Sequence, residues 1–130
     1  MKKLAALVTL ALVAGACATT DTQATTLVDS QRAQELIETQ ADLVVLDVRT
    51  PEEFTAGALP GAMLIDINSP TFAEEVGRLD MSKPYLVYCR SGNRSARAVE
   101  IMEDLGFVEI YELANGILAW VESGRSLQAG

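Results

Sequence analysis

The stretch V-Y-C-R-S-G-N-R-S-A-R at Val87–Arg97 marks a transition from a strand to a helix. An apolar run, Tyr85–Tyr88, ends abruptly at Cys89, a short polar turn with a glycine follows, and a helical pattern begins near Arg94. Backbone N–H groups in such a turn point inward, and the helix dipole adds partial positive charge, so the turn forms an anion cradle. A cysteine placed there should ionise easily, because the cradle stabilises the thiolate. The stretch therefore predicts a nucleophilic sulfur that attacks a small anion.

Arginine side chains add full positive charge to the predicted cradle. Arg90 and Arg94 lie close to Cys89 in the sequence, and Gly92 allows a turn that a Cβ atom would crowd. The alternative is a buried core cysteine at a strand end, but two arginines and a glycine beside it would serve no packing purpose. We therefore predict that Cys89 is catalytic. The residues predicted to bind the anion are Arg90, Ser91, Gly92, Asn93, Arg94 and Ser95.

Composition limits the classes of function. The chain has 130 residues, which predicts one domain, and 49% hydrophobic residues are enough for a core. A net charge of −8 argues against nucleic acid and anionic membrane surfaces as partners. The sequence contains no histidine, which removes Ser-His-Asp and Cys-His catalysis and most zinc sites. No metal and no cofactor are expected.

The N-terminal residues have the pattern of a signal peptide over residues 1–16. Met1–Lys3 is basic, and Leu4–Ala16 is apolar and too short for a lasting membrane span. Ala14–Ala16 forms an A-x-A cleavage site, which would release a soluble periplasmic protein. The sequence V-A-G-A-C also resembles a bacterial lipobox, with Cys17 as the lipid-bearing residue. Both alternatives predict export, and a lipid on Cys17 is the only membrane contact expected.

The second cysteine, Cys89, lies in the middle of the chain, far from Cys17. An exported compartment is oxidising and favours disulfides. Cys89 nevertheless has no evident structural partner, so we expect it to be a free thiol.

Strand patterns alternate with helix patterns in a domain predicted at residues 27–126, after a flexible spacer at 17–26. Predicted strands cover 27–28, 43–46, 62–67, 85–88 and 108–111, and predicted helices cover 31–39, 51–56, 69–76, 94–105 and 117–122. Such alternation predicts an α/β fold with a parallel sheet. Ligands bind outside the carboxyl ends of the strands in these sheets, and Cys89 follows such an end.

Other polar residues near the predicted site have more than one interpretation. Asp47 and Arg49 also follow a predicted strand, so they either form a structural salt bridge that braces the loop, or Arg49 lines the entrance. Ser95 either caps the helix and also donates a hydrogen bond to the sulfur of Cys89, or is a simple N-cap. Glu52 and Glu53 belong to a helix start with Thr as N-cap, and their carboxylates are expected only to cap that helix.

Four motifs together carry a family likeness. They are L-D-V-R-T-P-E-E-F at Leu46–Phe54, G-A-L-P-G-A at Gly57–Ala62, Y-C-R-S-G-N-R-S at Tyr88–Ser95 and N-G-I-L-A-W at Asn115–Trp120. In this combination the sequence resembles a single-domain rhodanese, here of an exported bacterial type. The resemblance implies a three-layer α/β/α fold with a five-stranded parallel sheet in the order 1-5-4-2-3.

The resemblance also implies thiosulfate sulfurtransferase chemistry, in which Cys89 cycles through a persulfide. The implied partners are a small anionic sulfur donor and a thiol or cyanide acceptor, and no cofactor is involved. One departure from the family is Ala58, which stands where members often have histidine. We expect it to lie outside the chemistry and to alter the rim of the pocket.

Three other functions compete with this prediction. Cysteine phosphatases use C-x5-R, whereas Cys89 and Arg94 are spaced C-x4-R, which leaves the loop one residue short for phosphate. A non-catalytic rhodanese-like sulfur carrier or binding module of the cell envelope is the main alternative, although inactive domains typically lack the cysteine. A general thiol redox protein would need a resolving cysteine, and the sequence has no C-x-x-C.

Overall fold

A computed structural model describes Gly15 and residues 24–130 of the chain. The predicted signal peptide, apart from Gly15, lies outside the described residues, as do Cys17 and the rest of residues 16–23. Within the described part, no helix combines the length and the apolar character needed to cross a membrane.

Strands and helices alternate throughout the described domain, as the sequence predicts. The elements are β1 (Thr25–Val28), α1 (Ser30–Thr39), β2 (Val44–Asp47), α2 (Pro51–Ala56), β3 (Met63–Leu64), α3 (Phe72–Gly77), β4 (Pro84–Tyr88), α4 (Asn93–Leu105), β5 (Glu109–Leu113) and α5 (Gly116–Glu122).

The five strands form a parallel sheet in the order β1-β5-β4-β2-β3, which confirms the predicted topology. Strand β4 lies in the middle, and every one of its residues is buried. This position explains its continuous apolar sequence, because a central parallel strand is covered on both faces. Asp47 at the end of β2 pairs with Tyr88 at the end of β4. The residues that follow these two strands are therefore neighbours at one edge of the sheet.

Two hydrophobic clusters cover the two faces of the sheet and complete the three-layer arrangement. On one face, α3 and α4 pack against Val87 and Tyr85 of β4. On the other face, α1 and α5 pack against Leu86 and Tyr88, and Trp120 is buried there. Successive residues of β4 point to opposite faces, so the active-site strand is fixed from both sides.

Several element boundaries differ from the prediction, and two of the differences concern the edge strands of the sheet. β1 begins at Thr25, so the last two residues of the predicted spacer belong to the sheet. The predicted strand at 62–67 is reduced to Met63–Leu64, although Ile65 and Ile67 are buried. Their N–H groups bond to the backbone carbonyls of Asp47 and Val48 as the chain turns away from the edge of the sheet. Ile65 and Ile67 are therefore apolar because they are buried in the core, although they lie outside the observed strand.

Candidate active site

The loop after β4 is shaped by a glycine in a left-handed conformation. Gly92 has φ +113° and is the N-cap of α4, which begins at Asn93. A Cβ atom at this position would meet only an ordinary contact, so the backbone angle rather than lack of space favours glycine. The Gly92 N–H donates to Cys89 Sγ at 3.1 Å. The loop thus turns its backbone donors toward the sulfur, as the sequence predicts for an anion cradle.

Helix α5 supports this loop from the opposite side. The N–H groups of Ile117 and Leu118 donate to the carbonyls of Cys89 and Arg90, at 2.9 and 3.2 Å. Gly116 makes this approach possible, because a Cβ atom there would lie 2.4 Å from the Cys89 carbonyl oxygen. Sequence reasoning placed Gly116 at a helix start but missed its role against the loop. The N-G-I-L-A-W motif that contains it was the available signal.

The Cys89 thiol is buried and hydrogen-bonded. Its side chain is 1% exposed, and it is a free cysteine. Burial is the largest single influence on its pKa and acts to raise it. Hydrogen bonds within the loop act in the opposite direction and together lower the pKa of Cys89 below its usual value. They come from the Ser95 hydroxyl and from the backbone N–H groups of Ser95, Gly92 and Ser91. A lowered pKa increases the fraction of thiolate at neutral pH, and the thiolate is the nucleophile.

Ser95 is not the N-cap of α4, which is Gly92, so the expectation that Ser95 caps this helix is wrong in both of its interpretations. It lies inside the first turn, and its hydroxyl is completely buried. Its Oγ is 3.5 Å from Cys89 Sγ and 3.1 Å from the Gly92 carbonyl oxygen. It also donates to Oε1 of Glu112 on β5, at 2.9 Å. Glu112 belongs to no sequence motif, and sequence reasoning missed it.

Arg94 is held by a carboxylate rather than left free for an anion. Its two terminal nitrogens lie 2.7 and 2.8 Å from the carboxylate oxygens of Glu53 on α2. This ion pair is the main reason that the pKa of Glu53 falls to about 2. Glu53 forms the predicted capping box with Thr50 as well, so the expectation that it only caps the helix is wrong. The other predicted anion ligands of the loop, Arg90, Ser91 and Asn93, have exposed side chains.

Asp47 and Arg49 form a buried ion pair beside the loop. The Arg49 guanidinium donates to the Asp47 carboxylate, with its shortest contact at 2.6 Å, and to the Gly57 carbonyl at 2.7 Å. Tyr88 donates its hydroxyl hydrogen to Asp47 at 2.6 Å and accepts the Leu59 N–H at 3.1 Å. These contacts join the ends of β2 and β4 to the segment after α2, as a brace would, and Arg49 also lines the cleft beside the loop.

Ala58 does not lie at the pocket rim, contrary to expectation. It occupies the position where members of the family often have histidine. Ala58 is completely buried, and its backbone exchanges two hydrogen bonds of 2.9 Å with Gln128. The tail of the chain therefore covers this segment and removes the Ala58 side chain from the surface.

An apolar cleft of about 370 Å³ lies next to the loop. It is lined by Arg49, Glu53, Ala56, Gly57, Ile117, Leu118, Val121, Glu122 and Leu127. Leu118 and Val121 are about half exposed, at 45% and 50%. No group of three or more His, Cys, Asp or Glu side chains within residues 24–130 is arranged to hold a metal ion.

The fold and this site agree with a known family. The sequence model of the rhodanese-like domain matches residues 29–123, which is most of the chain. The chain belongs to the rhodanese-like family.

Curated relatives of the chain include sulfurtransferases. A sulfurtransferase of Allochromatium vinosum is 26% identical over 102 residues, covering 78% of this chain and 94% of the relative. The thiosulfate sulfurtransferase GlpE of Ectopseudomonas mendocina is 33% identical over 93 residues, covering 72% of this chain and 82% of the relative. These relatives and the family support a sulfurtransferase activity for the chain.

Solved structures show the same fold. A rhodanese-related protein of Thermoplasma volcanium superposes with a TM-score of 0.70 at 33% identity, covering 79% of this chain and 97% of that chain. Another neighbour, RPA3614 of Rhodopseudomonas palustris, is named as a possible tyrosine phosphatase. It has a TM-score of 0.67 at 25% identity, covering 80% of this chain and 85% of that chain.

Proposed function

We propose that the chain is a thiosulfate sulfurtransferase that passes the outer sulfur of thiosulfate to a thiophilic acceptor such as cyanide. The observation that carries the proposal is the Cys89 thiol, whose pKa is lowered by converging hydrogen-bond donors of its own loop. Relatives named as thiosulfate sulfurtransferases support the choice of donor.

The reaction divides into two displacements at sulfur. The Cys89 thiolate attacks the outer sulfur of thiosulfate, the S–S bond of thiosulfate breaks, and sulfite leaves with the electron pair. The Cys89 persulfide that forms is held by the same backbone N–H groups that stabilise the thiolate. The acceptor then attacks the terminal sulfur and regenerates the Cys89 thiolate. The lowered pKa of Cys89 increases the fraction of thiolate, so the proposed mechanism uses no histidine as a base.

The loop residues then divide into two groups. The backbone donors of Ser91, Gly92 and Ser95 stabilise negative charge on the sulfur. Arg90 has an exposed side chain and approaches the sulfonate end of thiosulfate. Arg94 can also bind the sulfonate, but only after its ion pair with Glu53 has opened.

Two alternatives are less well supported. A phosphatase would need a C-x5-R loop long enough to surround a tetrahedral phosphate, whereas Cys89 and Arg94 are spaced C-x4-R. A binding module without sulfur chemistry would have no use for a thiol of lowered pKa. A sulfur carrier would use such a thiol, and the near-complete burial of Cys89 would protect its cargo.

Mass spectrometry after incubation with thiosulfate tests the proposal. The full chain is expected to gain about 32 Da, the mass of one sulfur atom, on the peptide that contains Cys89, with release of sulfite. Addition of cyanide should remove the adduct and produce thiocyanate. The proposal fails if Cys89 can be alkylated, which shows a free thiol, but takes up no sulfur from thiosulfate.

We further propose that the protein is exported and remains in the periplasm, either anchored by a lipid on Cys17 or released by cleavage before it. The basic and apolar pattern of residues 1–16 and the lipobox-like sequence support this. Intact mass of the protein from its native host is expected to show Cys17 as the first residue, with acyl chains if it is a lipoprotein. A cytoplasmic protein that still carries residues 1–16 would contradict export.

A further inference from the structure

Glu112 reaches the nucleophile indirectly, through the hydroxyl of Ser95. Its Oε1 lies 2.9 Å from Ser95 Oγ, and that oxygen lies 3.5 Å from Cys89 Sγ. Glu112 pairs with Val87 in the β4–β5 register, two residues before the cysteine. Ser95 is completely buried and Cys89 is 1% exposed, so solvent does not replace these contacts. The sulfur, the hydroxyl and the carboxyl therefore form one chain of contacts from three different elements.

The Ser95 hydroxyl has a single hydrogen to share among three acceptors. Two of them are the Gly92 carbonyl oxygen at 3.1 Å and Oε1 of Glu112. The third is the sulfur of Cys89, which donates to Ser95 Oγ as a thiol and becomes an acceptor as a thiolate. An ionised carboxylate takes this hydrogen, because its charged oxygen lies 2.9 Å from Ser95 Oγ, whereas the sulfur lies 3.5 Å away and is a weak acceptor. A protonated carboxyl donates its own hydrogen to Ser95 Oγ instead. The hydroxyl hydrogen is then free to turn toward the sulfur.

Glu112 stands in a cleft that connects this chain of contacts with the surface. The cleft measures about 390 Å³. Its other lining residues are Thr25, Leu27, Ala96, Val99, Glu100 and Glu103. The titratable groups around Glu112 are therefore Glu100 and Glu103 of α4 and the Cys89 thiol of the loop, while β1 contributes a threonine and a leucine. Burial raises the pKa of Glu112 above its usual value, and the hydrogen bond from Ser95 opposes that rise.

We propose that Glu112 is a positioning residue that determines, through the Ser95 hydroxyl, whether the sulfur of Cys89 receives a side-chain hydrogen bond. Ionised Glu112 takes the Ser95 hydrogen and leaves the sulfur with backbone donors. Protonated Glu112 returns that hydrogen to the sulfur and favours the thiolate. The inference rests on the proposed function only in taking Cys89 as the nucleophile, and it applies to any sulfur donor.

The pKa of Cys89 provides the test, measured from the pH dependence of iodoacetamide alkylation in the full chain. In Glu112→Gln, the amide can donate to Ser95 Oγ at every pH, so the pKa of Cys89 is expected to fall by about one unit. Glu100→Gln is the matched control, because it removes the same charge from the same cleft without contacting Ser95. Its effect on the thiol pKa is expected to be much smaller.

A Ser95→Ala background separates the hydrogen bond from the charge. In a protein that already carries Ser95→Ala, the additional change Glu112→Gln is expected to cause no further shift in the pKa of Cys89. The proposal is overturned if Glu112→Gln shifts the pKa no more than Glu100→Gln does, or if its shift persists undiminished without the Ser95 hydroxyl. If Ser95→Ala does not fold, the comparison between the two glutamate variants decides. A chain that transfers no sulfur from thiosulfate would refute the proposed function and leave this measurement valid.

Discussion

Replacing Cys89 with serine is expected to abolish sulfur transfer, by about a thousandfold or more, without unfolding the protein. A serine hydroxyl stays protonated in this loop, and the sequence has no histidine to act as its base. It also cannot carry a persulfide. The change is small in volume, and the Gly92 N–H that donates to the sulfur can donate to an oxygen, so the stability cost should be about 1 kcal/mol.

Thiosulfate:cyanide activity and a thermal unfolding curve, both on the full chain, check this result. Cys17→Ser is the matched control, since it removes the other cysteine from outside the predicted domain and should leave the assay unchanged. A purified Cys89→Ser protein that retains turnover, with no other sulfurtransferase present, would rule out Cys89 as the carrier of sulfur.

The second large effect is expected from Asp47→Asn, which should lower the free energy of unfolding by about 3–5 kcal/mol. The change removes the charge that faces Arg49, whose guanidinium is almost completely buried. It also replaces the charged acceptor of the Tyr88 hydroxyl. An unpaired charge in the interior keeps its desolvation cost without the compensating attraction, so the loss exceeds that of an ordinary hydrogen bond.

Urea unfolding of two further variants makes this prediction specific. Glu35→Gln breaks the Arg32–Glu35 pair, whose side chains are about half exposed, and should cost at most about 1 kcal/mol. The double change of Asp47→Asn with Arg49→Met removes both buried charges and should recover part of the stability. Equal losses in Asp47→Asn and Glu35→Gln would show that burial does not determine the strength of the Asp47–Arg49 pair.

The sequence predicts most of the fold because apolar runs and local capping signals act over short distances. The run at Tyr85–Tyr88 and the capping box before α2 correspond directly to observed elements. The order of the strands needed the family resemblance, since pairing between β1 and β5 leaves no local pattern. The prediction was least accurate at β3, where burial of Ile65 imitates a strand.

Site residues that lie close together in the sequence could be predicted, whereas contacts between distant segments could not. The Cys89 loop is contiguous, so spacing and residue type were enough to find it. Contacts between distant segments were not visible: Glu53 and Arg94 are 41 residues apart, and Ser95 and Glu112 are 17 apart. Charge complementarity alone could not select these partners, because the sequence contains 18 acidic residues for ten basic ones.

The ion pair between Glu53 and Arg94 affects which anions can bind at the site. Glu53 is a competitor tethered to the same chain, so its effective concentration at the guanidinium exceeds that of most dissolved ions. An anion that offers only charge must displace this carboxylate and gains little by doing so. A donor with a transferable sulfur gains additional binding from the backbone donors around Cys89. If the chain has the proposed thiosulfate activity, we therefore expect sulfate and phosphate, which are of similar size and charge, to be poor inhibitors.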